Sequence, residues 1–137
     1  MQYLKKTFGI LILVLVVSCQ IFDKSENRLI KEYYNPKSSM KVIVFKKLGN
    51  ATVNNSIQAS IHGYDYVLQN EDVGNIFIAD KIEGINESID STFIANWIDN
   101  ENVEFVYPKN IRTFKTEKQF KNNVGKVRIE YLKNEEF

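Results

Sequence analysis

TFIANWIDNENVEFVYP, residues 92–108, decides how this chain is read. Two apolar runs flank Asp99-Asn100-Glu101-Asn102. Asp and Asn favour turns because their side chains bond the local backbone and tolerate left-handed angles. The alternation puts Phe93, Ala95 and Trp97 on one face of a first strand. It puts Val103, Phe105 and Tyr107 on one face of a second. Side chains on a strand alternate between its two faces, so this pattern predicts a β-hairpin with one buried side. Pro108 ends the pairing, having no N–H to give a ladder.

Further short strands appear on both sides of the hairpin. LIKEYYN, residues 29–35, reads as an edge strand stopped by Pro36. MKVIVFKK, 40–47, has four consecutive apolar residues and reads as a strand buried on both faces. SIQASIHG, 56–63, alternates Ile57, Ala59 and Ile61 against Gln58, Ser60 and His62, which predicts a half-buried strand. NIFIAD, 75–80, is another strand, followed by the loop KIEGINESID, 81–90. IRTFKT, 111–116, is a further strand, and TEKQFKNN, 116–123, is read as a turn of helix. VGKVRIEYL, 124–132, sets Val127, Ile129 and Tyr131 against Lys126, Arg128 and Glu130, a final strand with a charged outer face. Six to eight short strands predict a mainly β fold, a single small antiparallel domain built as a meander, sandwich or open barrel. Antiparallel pairing is expected because no helix is long enough to carry a parallel crossover.

The amino-terminal residues have a different grammar. Lys5 and Lys6 precede an apolar run from Gly9 to Val17, which ends at Ser18-Cys19. This is the order of a secretory signal, and the run is shorter than the roughly 20 residues a membrane span needs. Val16-Val17-Ser18-Cys19 resembles the lipobox of bacterial lipoproteins. That resemblance implies removal of residues 1–18 as a signal peptide, diacylglycerol on the sulfur of Cys19 and a further acyl chain, such as palmitate, on its amine. Two chains anchor stably where one does not. Residues 19–39 are then a tether and first strand, and 40–137 the β domain. Gln20 follows the cysteine where an acidic residue is linked to inner-membrane retention, so the expected place is the cell envelope, at the outer membrane if the cell has one.

Taking 18 residues from 137 leaves 119, one domain's length. The cut removes two lysines and no acid, so 18 basic residues become 16 against 17 acidic ones, a charge of −1. No basic field points to nucleic acid. Cys19 is the only cysteine, so no disulfide can form within the mature chain.

Four motifs in order resemble a group of small uncharacterised bacterial proteins. NPKSSMKVIVFKK is similar to their SPDGK-x-x-AVVF opening, GNIFIAD (74–80) to GNVFVAD, NWIDNENVEFVY (96–107) to their tryptophan-bearing hairpin, and VGKVRIEY (124–131) to VGGVRVEY. The match spans about 90 residues, and here Lys37-Ser38-Ser39 replaces an Asp-Gly turn and Leu48-Gly49-Asn50-Ala51-Thr52 replaces a Cys-Gly-Ala-Thr segment. The resemblance implies a fold and carries no activity. The opening also resembles one β-propeller blade, but the chain has length for about two blades, which excludes a full propeller.

A search for chemistry finds little. Ser60, His62 and Asp65 could be drawn as a hydrolase set, but no Gly-flanked nucleophile elbow accompanies them. His62 reads instead as a surface histidine beside a turn. Glu71-Asp72 and Glu135-Glu136 read as solvated pairs, and no metal-ligand spacing or phosphate loop is present. Asp90-Ser91-Thr92 resembles a short acceptor pattern for O-glycosylation, with Ser91 as the acceptor. The sequence therefore assigns no catalytic, cofactor-binding or metal residue, and one lipid-attachment residue, Cys19. Two functions fit. The first is a non-catalytic, membrane-anchored module that binds an envelope protein, with an immunity-type protein as a subclass. The alternative is a small-ligand binder or enzyme that uses an aromatic face of Trp97, Tyr64, Tyr66 and the Phe residues.

Overall fold

In the computed structural model, residues 26–49, 53–80 and 91–134 are described. Cys19 with the segment that resembles a lipobox, the 81–90 loop and Glu135-Glu136 lie outside them. Nine strands form two sheets: β1 (Asn27–Tyr34), β2 (Met40–Lys47), β3 (Ser56–Gly63), β4 (Phe77–Asp80), β5 (Ile94–Trp97), β6 (Asn102–Pro108), β7 (Arg112–Thr116), β8 (Gln119–Lys121) and β9 (Lys126–Asn134). Sheet A runs β1-β2-β3-β4-β7 and sheet B runs β5-β6-β9-β8.

The sheets pack face to face as a sandwich around one apolar core. Met40, Val42, Val44, Ile57, Ala59, Ile61, Phe77 and Ala79 come from sheet A. Phe93 and Ala95, Val103, Phe105 and Tyr107, and Val127 and Ile129 enter from the side of sheet B. These are the positions that period-2 alternation selects on β2, β3, β5, β6 and β9. Phe77 is the hub, with ring centroids 4.9 Å from Phe105, 5.1 Å from Tyr107 and 6.1 Å from Phe93. Polar atoms pin both open edges. At one, Trp97 Nε1–H donates to Tyr33 O at 2.8 Å and the Tyr33 hydroxyl to Phe93 O at 2.9 Å. At the other, the Tyr131 hydroxyl shares its proton between Ile76 O (2.8 Å) and Glu117 O (2.9 Å). Burial pushes Tyr131 well above the usual phenol range.

The hairpin turn is made as its residues suggest. Asp99 Oδ1 accepts from Glu101 N–H at 2.7 Å and Asn102 N–H at 2.8 Å. The β1–β2 turn replaces Asp-Gly with another device. Asn35 is buried, and its Oδ1 accepts from Ser39 N–H (2.9 Å) and Met40 N–H (3.1 Å). Ser38 takes the left-handed conformation, φ 52°, that glycine adopts more easily.

Three expectations are corrected. TEKQFKNN is not helical: Gln119–Lys121 form β8, which pairs with β9. Pairing is antiparallel in every ladder among the described residues except β6–β9, which is parallel. The crossover that a helix usually provides is made by strand instead, since the chain leaves β6, pairs as β7 on sheet A and returns as β8. Finally, β3 is not half-buried. Gln58 and Ser60 are as inaccessible as their apolar neighbours, because the segment that follows β3 folds back over that face.

Candidate functional site

That returning segment, residues 64–75, is here termed the strap. It lies on the outer face of sheet A, away from the core. Cross-strand register sets Tyr34, Lys41 and His62 side by side there, with Glu32, Ile43 and Ser60 forming the next row. Ile43 and Phe45 are fully buried on this outer side, so β2 is covered on both faces as its sequence predicts.

The strap is fastened by polar contacts at three levels. Near β3, Gly74 N–H donates to Gln58 Oε1 at 2.7 Å and Asn75 N–H to Ser60 Oγ at 3.0 Å. The Asn75 side chain bridges the Ile61 backbone, accepting from its N–H (2.9 Å) and donating to its carbonyl (3.0 Å). Glycine is required at 74, since a Cβ there would lie 2.3 Å from Phe77 O. Within the strap, Asp72 is the organiser. Its carboxylate takes the Tyr66 hydroxyl (2.7 and 2.9 Å to its two oxygens) and Gln69 N–H (2.8 Å). Tyr66 lies flat on His62, ring centroids 3.8 Å apart and planes 5° from parallel. At the β1 end, Asn27 Nδ2 donates to Gln69 O at 2.8 Å and Asp72 O at 2.9 Å, and Lys47 Nζ donates to Asp72 O at 3.0 Å.

Between the strap and β1 an open cleft of about 380 Å³ remains. On its floor Lys41 Nζ meets Glu32 Oε1 at 2.8 Å, and the Tyr34 hydroxyl donates to Glu32 Oε2 at 2.7 Å. The Lys41 side chain is 5% exposed and that of Glu32 24%. Burial works to raise the Glu32 carboxyl, but the hydrogen bonds from Lys41 and Tyr34 and the lysine's charge outweigh it and hold it below 4.5. Burial likewise works to lower Lys41, and the bonds and charge of Glu32, with help from Tyr34, leave it above 10.5. Both members are therefore charged near neutrality. His62 goes the other way. Burial pushes it below 6.5, Asp72 opposes that and Lys41 adds to it. The lips of the cleft are apolar: Leu29 on β1, and Val67 with Leu68 on the strap. Leu29 and Val67 are well exposed.

The hydrolase set is not assembled. The Ser60 hydroxyl is fully buried, accepts from Asn75 N–H and faces Val73 O, while His62 stacks on Tyr66. The aromatic platform is divided, because Trp97 packs inward against the core and Tyr66 lies on the opposite face of sheet A. Asp72 is not a solvated partner of Glu71 but the centre of the strap. Ser91 is exposed and Thr92 buried. Sequence reasoning missed the Glu32–Lys41 pair. Its signal was present, since a lysine alternating with Ile43 and Phe45 falls on a face that must be buried, and buried charge requires a partner. Among the described residues, no group of three or more His, Cys, Asp or Glu side chains is placed to hold a metal ion.

No protein-family model matches this chain, and no curated protein or solved structure matches it.

Proposed function

We propose that this protein is a lipid-anchored binding module of the bacterial cell envelope, non-catalytic, holding a protein partner in the cleft between the strap and β1. The observation that carries this reading is the cleft itself. It joins exposed apolar lips to a desolvated, charge-balanced floor, the combination by which protein interfaces bury side chains. Apart from Asp65, the polar groups around it pair with one another on the floor or hold the strap, and they do not converge on a reacting centre. The anchor is Cys19, at the outer membrane if the cell has one. Seven residues lie between Cys19 and Asn27, eight steps of chain, so chain length alone keeps the start of β1 within about 28 Å of Cys19. The partner would then be met close to the membrane.

The test is cross-linking in the native cell from a photoreactive residue at Val67 of the full-length protein. Arg128, on the outer face of sheet B, serves as the second position, and Cys19→Ser as the variant without an anchor. One dominant adduct from Val67, absent from Arg128 and lost in Cys19→Ser, is expected. Equal adducts from both positions, or none from Val67, would remove the cleft as the binding surface.

A further inference from the structure

We infer that the cleft takes a basic side chain, lysine or arginine, from its partner; this rests on the binding reading above and adds the chemistry of the occupant. The cleft holds one cation, Lys41, and it is already matched to Glu32. Asp65, on the strap, lines the same cleft and is exposed, with no cation paired to it among the described residues. Glu32 and Asp65 against Lys41 leave the lining with a formal charge of −1. At the β1 end, the amide of Asn27 is fixed by two carbonyls that accept from Nδ2, so its other atom must be the oxygen. That Oδ1 is buried and has no donor. That oxygen is closed to solvent, so the group the cleft offers an incoming side chain is the exposed Asp65 carboxylate.

Each alternative occupant meets a penalty. An anionic group would face Asp65 at close quarters. An apolar side chain would desolvate Asp65 without supplying a donor, and such unmet polar groups are costly. A lysine or arginine brings the complementary charge and several N–H donors. Its methylene stem suits the lips formed by Leu29, Val67 and Leu68, as long basic side chains cover apolar surface while keeping their heads in polar surroundings.

The experiment is surface plasmon resonance on captured full-length protein in detergent. The analytes are a blocked Gly-Leu-Arg-Leu-Gly peptide and its citrulline counterpart, which has nearly the same shape and no charge. The arginine peptide should bind about tenfold more tightly, the worth of one good charge-assisted contact. Asp65→Asn, an exposed change that leaves the core untouched, should abolish that ratio. Val67→Ser should weaken both peptides while keeping it. Equal binding of the two peptides overturns the inference but leaves the cleft a binding site. A ratio that survives in Asp65→Asn overturns it too, placing the arginine elsewhere. Binding of neither peptide also overturns it, and the cross-link from Val67 then decides separately whether the cleft binds a partner at all.

Discussion

The two faces of sheet A are covered by different physics. The inner face is closed by close-packed hydrocarbon and rings from β5, β6 and β9. The outer face is closed by a loop that is braced internally at Asp72 and hydrogen-bonded to Gln58, Ser60 and Asn27, over two buried apolar side chains, Ile43 and Phe45. Apolar packing is non-directional and accumulates with area. Hydrogen-bonded closure is directional and contributes little net per bond, yet its loss is felt because the groups stay buried. The inner face should therefore set the stability of the whole domain, and the outer face the order of one segment. The cleft opens where the polar fit of the strap stops, beside β1.

Four substitutions would break or sharpen this contrast. Phe77→Ala removes the ring at the centre of the inner face and should cost about 3–5 kcal/mol in chemical denaturation. A loss below about 1 kcal/mol would mean that the inner face is not the main store of stability. Glu32→Gln leaves the Lys41 ammonium buried without its counter-charge and should cost about 2–3 kcal/mol. Adding Lys41→Met should recover most of that loss, because the apolar replacement removes the stranded charge. If the double variant were no better than the single, the pair would matter through shape and not charge. Asp72→Asn should lower global stability by less than about 1 kcal/mol. It should nevertheless speed amide hydrogen exchange at Gln69, while the Phe105 and Val127 amides are unchanged. Uniform acceleration would show that strap and core open together.

The smallest effect is a pH dependence. His62 has a folded pKa below its ordinary 6.5, so the unfolded chain takes up its proton first as pH falls. Its contribution to stability is complete above about pH 6.5 and is lost on acidification below that value. His62→Phe keeps a ring on Tyr66 and should flatten the stability profile between about pH 7 and 5. Glu32 is also held below its ordinary value, so the part it contributes is lost only at lower pH, as the medium passes below 4.5. A variant profile still sloping from pH 7 to 5 would assign that slope to another group.

Much of the inner face was legible because it depends on a local rule. Strict alternation in 92–108 and 124–131 places Phe93, Val103, Phe105, Val127 and Ile129 inside, and they are inside. The outer face was not legible for the same reason. Gln58, Ser60 and His62 have the pattern of a solvent-facing row, and only the path of the strap buries the first two. Alternation reports which residues share a face and is silent on what a distant segment lays over it. The parallel β6–β9 pair escaped for a related cause. The rule that parallel strands need a crossover held, but the crossover was a strand lent to the other sheet. At the site, Lys41 could have been singled out from the buried pattern of β2, whereas its partner Glu32 depends on the register of β1 against β2.

The place of β9 has a consequence for how the chain is made. Of the nine described strands it is synthesised last, and it lies inside sheet B, with β6 on one side and β8 on the other. Until it emerges, sheet B is a lone β5–β6 hairpin, marginal by itself, and β8 has no neighbour. Sheet A, whose β1, β2 and β3 are nearest neighbours in sequence, can form early. The sandwich is thus closed by the last of its described strands, like a keystone set last. A copy cut short before residue 126 would expose the apolar inner face of sheet A and betray itself to the cell's proteases.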